Sequence, residues 1–380
     1  RGWQPAFLCP VRPHEQPLLE TLGDFPVFAA PVRPDPLRRA RRLWLSLRHP
    51  QAYAFIRSIN LRAEAARALS TFRPDVVHAT QPHVLEAVVE ALPCAEKRPA
   101  LVAYAIDVVA KLHIRALLRT ELDRRRWRRV AREAALAIPR ELRLYAQSDA
   151  VICHSDSDRA FLRAFLPIHV PISLLPAWFD ACRAILPAVP ERRPVEQDML
   201  YVGNSRDPRS REALDWLLGE IFPQVRQRRP NTTLLIAGVS TEADQVRWCR
   251  VPQVKCLEFE HNVVSLYDMS QITIAPLKTG GGIHVKVLNA FARACPVVMT
   301  SIANDGIGAQ DGVEARIADD TAGMVEAILH LLENLTIRQT QAELALRWIS
   351  HYAKDSAELL AEHIYPAARL RAAQIRQKVY

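Results

Sequence analysis

The feature that most constrains this chain is a strand–glycine–helix–strand unit between residues 272 and 300. Ile272-Thr273-Ile274-Ala275 is a short apolar run that stops at Pro276. Gly280, Gly281 and Gly282 follow, and Val285, Leu288, Phe291 and Ala292 then recur at helical spacing. A second apolar run, Pro296-Val297-Val298-Met299-Thr300, closes the unit. The glycines serve either as a tight turn or as an anion site. In the second case their bare N–H groups and the positive end of the helix dipole face one point. Lys286, one turn into the helix, adds a full charge there.

The same alternation runs along the whole chain. Strands are expected at 4–9, 27–29, 76–79, 100–104, 150–154 and 172–175, with helices at 60–71, 85–91, 115–147 and 157–164. In the second half, strands at 199–202, 233–237 and 254–257 alternate with helices at 211–227, 243–249 and 264–269. Short strands separated by helices predict parallel sheets covered on both faces. Ligands in such sheets bind beyond the carboxyl ends of the strands, where Gly203 and Gly280–Gly282 fall. A chain of 380 residues is too long for one ordinary core, and the Pro- and Arg-rich stretch 186–194 is the expected joint between two domains.

Composition narrows the class. No apolar run reaches the roughly 18 residues that a membrane-spanning helix needs, and residues 1–4 lack the apolar core of a signal peptide. The seven cysteines show no C-x-x-C pair or metal-ligand spacing, which suits reduced thiols in a cytoplasmic protein. The net charge of +9 is mostly arginine. It concentrates at 36–48 and 115–132, where Arg alternates with Leu and Trp. That pattern suits an anionic membrane surface, an acceptor carrying diphosphate, or a solvated helix face. No nucleic-acid recognition motif accompanies it, so nucleic acid is not an expected partner.

The run G-G-G-I-H-V-K-V-L-N-A-F-A, then P-V-V-M-T and N-D-G-I, resembles the sugar-nucleotide segment of GT-B-type bacterial glycosyltransferases of the family 4/group 1 kind. Leu200-Tyr201-Val202-Gly203-Asn204, Pro230–Gly238, Arg73–His78 and Ser148–Ser155 resemble further strands of that family. The resemblance implies an α/β GT-B fold of two Rossmann-like domains with parallel sheets facing across a cleft. Residues 1–185 would bind the acceptor, 195–350 the nucleotide sugar, and helix 351–380 would pack back on the first domain. It also implies that a first strand and helix are missing before Arg1-Gly2-Trp3-Gln4.

The activity implied is transfer of a sugar from a nucleotide-diphosphate donor to a glycan, lipid-linked or small-molecule hydroxyl, in cell-surface polysaccharide or glycoconjugate synthesis. No cofactor or bound metal is implied. The location implied is cytoplasmic or peripheral on the inner face of the membrane. Donor-binding residues would be Gly203, Asn204, Arg206, Phe259, Gly280, Gly281, Gly282, Ile283, His284, Lys286 and Asn289, with Arg209 and Arg211 as alternatives to Arg206. Asn289 stands where the family has a glutamate that binds the donor ribose, and Gly281 where many members have a first glutamate. Asp107 is the expected base, with His113 and His83 as alternatives on nearby loops; Ile106 replaces the family's histidine before Asp107. Glu141 resembles a helix glutamate of structural role. The alternatives are a degenerate GT-B protein that binds a nucleotide sugar or a partner without turnover, and an epimerase or phosphorylase of the same fold.

Overall fold

The computed structural model describes residues 2–379 apart from 23, 33–35, 93–96, 119–122, 178–179, 191–195, 258–262 and 354–355. The chain forms two compact units, Arg1–Leu175 with Asp355–Tyr380, and Pro176–Lys354. The division precedes the expected joint at 186–194 because the N–H groups of Ala177, Ala181 and Leu186 are held within the second unit. The Ala177 N–H donates to the Tyr352 hydroxyl, the Ala181 N–H to Asn289 Oδ1, and the Leu186 N–H to the Ala292 carbonyl.

The first unit holds β1 (Phe7–Val11) and β2 (Val27–Pro31), which pair with each other in parallel. A separate parallel sheet orders β3 (Val76–Thr80), β4 (Ala100–Ala105), β5 (Ala150–Cys153) and β6 (Ile172–Leu174) as 3-4-5-6. β4 and β5 are apolar along nearly their whole length because helices cover both faces. One cover is the helix Tyr365–Val379, whose Ala368 and Ala372 join Val102 and Ile152 in a buried cluster. The expected helix at 115–147 is two helices, Val109–Leu117 and Arg124–Ala146. The second starts at Asp123, whose carboxylate accepts the N–H groups of Arg125 and Arg126.

The second unit is one parallel sheet of six strands in the order 12-11-10-7-8-9. These are β7 (Gln197–Val202), β8 (Leu234–Ala237), β9 (Val254–Leu257), β10 (Ser270–Ala275), β11 (Val297–Met299) and β12 (Arg316–Ile317). β7 and β10 are central and carry a single continuous core with Met199, Leu200, Ile272 and Ile274. The expected helix 211–227 is instead Pro208–Trp216, a wider turn over Leu217–Ile221, and Phe222–Arg228. Among the described residues no helix is long and apolar enough to cross a membrane.

Candidate functional site

The parallel order places the ends of β7, β8, β10 and β11 side by side, so the loops after them share one edge. After β10 come the three glycines and the helix Val285–Ala292. Gly280 (φ +144°) and Gly282 (φ +72°) adopt backbone conformations that side chains disfavour, which explains glycine at both. Gly306, from the loop after β11, packs directly on this turn: a Cβ there would lie 2.2 Å from the Gly282 carbonyl oxygen.

Lys286 is the second residue of the helix, and its side chain reaches toward β7. Its Nζ is 4.7 Å from the centre of the Tyr201 ring. The ring is pinned by its hydroxyl, which donates to the Ser210 carbonyl at 2.8 Å, and it lies where a Cβ on Gly203 would sit. Lys286 Nζ is sealed from solvent and finds no hydrogen-bond acceptor among the described residues. Burial lowers its pKa to about 8, against the pull of the nearby Asp207 carboxylate. An ammonium without an acceptor inside a protein costs several kcal/mol, and a bound anion is the ordinary remedy.

His284 stands at the N-terminal cap of the same helix, with its ring against Gly280 and its Nε2 buried without a partner. Burial, with Lys286 and Arg209 adding positive charge, lowers its pKa to about 3, so the ring is neutral at physiological pH. The field at this strand edge is therefore positive.

The three arginines weighed as second cation are held differently. Arg206 is exposed, and its backbone N–H only closes a turn onto Asn204 Oδ1 at 2.9 Å, which also occupies the Asn204 carbonyl. Arg211 is committed to a two-point pair with Asp244 at 2.9 Å. Arg209 is the arginine whose charge reaches His284, and it is aimed by a forked contact with Asp207 at 2.9–3.2 Å. Asn289 has a structural partner within the second unit. It is 2% exposed and its Oδ1 accepts the Ala181 N–H at 3.0 Å, so its carbonyl fastens residues near 181 to the helix. Asn289→Ala is expected to cost about 1–3 kcal/mol of stability by orphaning that N–H. Urea unfolding measures this, and the affinity for a nucleoside diphosphate should be unchanged in the folded fraction. Ile283 packs on the core beside the turn. Phe259 lies outside the described residues.

In the first unit Asp107 occupies the short turn between β4 and the helix Val109–Leu117, half-buried at the sheet edge where ligands bind. His113 does not join it. It lies within that helix and senses Glu133, whereas the charge of Asp107 acts on His154 and Tyr145. His83 is likewise helical, edge-on to Tyr53 at 5.9 Å. Glu141 is buried and accepts the N–H groups of Val109 at 3.0 Å and Ala110 at 2.5 Å, capping the helix that follows Asp107. Burial pushes Glu141 up to about 7 in spite of those donors.

Sequence reasoning passed over His154. Its Nδ1 donates to the Leu175 carbonyl and its Nε2 accepts from the Tyr104 hydroxyl, both at 2.8 Å. A fully bonded neutral imidazole beside Asp107 holds the turn rather than moving protons. Its place in the strand-end run Val151-Ile152-Cys153-His154 was the available signal.

Parallel sheets in both units, with a glycine turn at a strand end of the second, place the chain in the GT-B class of α/β folds. Solved structures share that fold. Sucrose-phosphate synthase from Thermosynechococcus elongatus matches with a TM-score of 0.60 at 14% identity, over 87% of this chain and 79% of that one. Anabaena Alr3699/HepE in complex with UDP matches with a TM-score of 0.60 at 15% identity, over 96% and 88%. Residues 196–334, which contain the glycine turn, Lys286 and Arg209, match the family of glycosyl transferases group 1. An uncharacterized 44.6 kDa protein in the cps region of Klebsiella pneumoniae is 28% identical over 147 residues, 37% of this chain and 38% of that protein.

Proposed function

We propose that the protein is a glycosyltransferase that moves a sugar from a nucleotide-diphosphate donor to a hydroxyl acceptor, in the synthesis of a cell-surface polysaccharide or glycoconjugate. The observation that carries this reading is the buried, unpartnered ammonium of Lys286 beside a glycine turn and a helix N-terminus. Cleavage of the bond from the sugar C1 to the diphosphate oxygen leaves charge on the departing diphosphate. Lys286, Arg209 and the amides of 281–284 are placed to neutralise it without reorganising at that moment. Because Nζ is closed to solvent, contact with a diphosphate requires the Lys286 side chain to turn outward. Asp107 takes the proton of the attacking hydroxyl. Solved neighbours hold UDP, one of them with glucose, and the Klebsiella relative lies in a cps region, which supports a UDP-sugar donor and a glycan product.

A thermal-shift panel of UDP-, GDP-, ADP- and TDP-sugars, followed by release of nucleoside diphosphate, tests this reading. Asp107→Asn is expected to lower turnover by about 100-fold or more with the donor affinity unchanged. No stabilisation by any of the four sugars would remove the donor site. The second reading, binding without turnover, is favoured by the engaged carboxamide at Asn289 where an acid is usual. It predicts stabilisation with no diphosphate release on any acceptor.

A further inference from the structure

The two arginine-rich stretches, some 80 residues apart in sequence, meet in the first unit. The Arg132 guanidinium donates to the Ser46 carbonyl, the Gln51 N–H to Glu133 Oε2 at 3.0 Å, and Arg140 faces His49 Nδ1 at 3.0 Å. These contacts lay the turn after the helix Pro36–Leu45 against the helix Arg124–Ala146. Trp127 is five residues before Arg132, about 7.5 Å along the helix axis.

Both segments present apolar side chains outward among the arginines. Leu43 is 75% exposed, Trp44 58%, Leu47 70% and Trp127 47%. Residues 123–129 are exposed on every side, so the first two turns of the second helix stand clear of their own unit. Asp123 caps that helix start, while Arg124 and Arg128, and Arg125 and Arg129, repel at four-residue spacing. None of Arg39, Arg124, Arg125 and Arg128 is in an ion pair with a described residue.

We infer that this face docks on an anionic lipid bilayer, with Leu43, Trp44, Leu47 and Trp127 entering the interface and the arginines meeting lipid phosphates. Anionic headgroups relieve the arginine repulsion. The exposed leucines are what separates a bilayer from a nucleic acid or another soluble polyanion, which offers no acyl region to receive them. The inference rests on the first unit and does not depend on sugar transfer.

Co-sedimentation of the full chain with phosphatidylcholine vesicles, with and without about one-third phosphatidylglycerol, is the direct test. The protein is expected to follow the anionic vesicles into the pellet, to stay in the supernatant when the vesicles are neutral, and to be released by salt. Arg125→Gln with Arg128→Gln should weaken partitioning about 25-fold, at about fivefold per arginine. Tryptophan fluorescence should be quenched by lipids brominated in the acyl chain, and Trp44→Phe with Trp127→Phe should remove that quenching while leaving the circular dichroism of the fold intact. Equal binding to neutral vesicles, no binding to anionic ones, or quenching that survives the double phenylalanine variant each overturns the inference. So does binding to heparin or RNA with no lipid partition, which assigns the face to a soluble polyanion.

Discussion

Lys286→Met is expected to weaken nucleoside diphosphate binding by about 1.5–3 kcal/mol, the scale of a hydrogen bond to a charged group and roughly 10- to 150-fold in affinity. The same variant should make the unliganded protein more stable, and the pairing of the two effects is diagnostic. An ammonium whose pKa falls from 10.5 to about 8 on folding destabilises the folded chain at neutral pH by on the order of 3 kcal/mol. Methionine fills similar volume without charge. The lost contact with the Tyr201 ring offsets part of the gain, leaving about 1–2 kcal/mol net. A variant that loses stability and keeps its nucleotide affinity would show that Lys286 serves the fold alone.

The direction of the pH effect follows from the same proton. Below about pH 8 Lys286 is charged in both the folded and unfolded chains, and the penalty is fully present. Between pH 8 and 10.5 the unfolded chain keeps the proton that the folded chain has released. The unfolded state then binds more protons, so stability of the unliganded protein should rise across that window. Lys286→Met should flatten the rise. Nucleoside diphosphate affinity should move the opposite way, falling up to about tenfold per pH unit above 8 as the cation is lost. Isothermal titration in two buffers of different ionisation enthalpy would register uptake of as much as one proton on binding there.

The second unit was the more legible half of the sequence because its inner strands β7, β8, β10 and β11 are largely buried on both faces and read as mostly apolar runs. The glycine turn, Lys286 and the strand-end position of Gly203 all stand at one sheet edge as the spacing implied. What the spacing left unread depended on partners far away in sequence. Asn289 sits on the helix face that sequence assigned to a ribose. Nothing local to it announces that the N–H of Ala181, over 100 residues earlier, occupies its carbonyl. The choice among Arg206, Arg209 and Arg211 had a local clue that went unused. Asp207-Pro208 is a helix start, with a capping carboxylate followed by proline at the first helical position. That start leaves Arg206 on the loop and fixes Arg209 against its cap. Asp123 before the arginine run is a comparable signal, and it separates the two helices that periodicity merged. His113 was placed on a loop for the same reason, since the helix holding it begins at Val109, where only the buried carboxylate of Glu141 marks the start.

Gly306→Ala is expected to damage the site although Gly306 has no side chain to touch a ligand. Gly306 does not need a left-handed backbone, since its φ is not among the positive values in the chain. Its constraint is contact. A methyl group would stand 2.2 Å from the carbonyl oxygen of Gly282, 2.4 Å from its carbon and 2.8 Å from the Ile283 nitrogen. All three are backbone atoms of the proposed diphosphate cradle, so no rotamer relieves the overlap and the turn itself must move, by about 1 Å if ordinary contact is to be restored. Forcing a methyl group into such an interior costs about 1–3 kcal/mol, which differential scanning calorimetry would register as a lowered Tm. The functional loss should be larger, because displacing positioned groups by about 1 Å commonly lowers a rate on the order of 100-fold. Gly308→Ala is the matched control. It lies two residues on, has a positive φ of 74° and meets nothing within 4 Å, so it strains its own backbone without touching the glycine turn. If both variants lose stability and only Gly306→Ala loses nucleoside diphosphate binding, the close approach of the loop after β11 shapes the anion site. Equal losses of binding in the two would show that the loop acts through its overall stability, and the Gly282–Ile283 peptide would then have no special claim on the diphosphate.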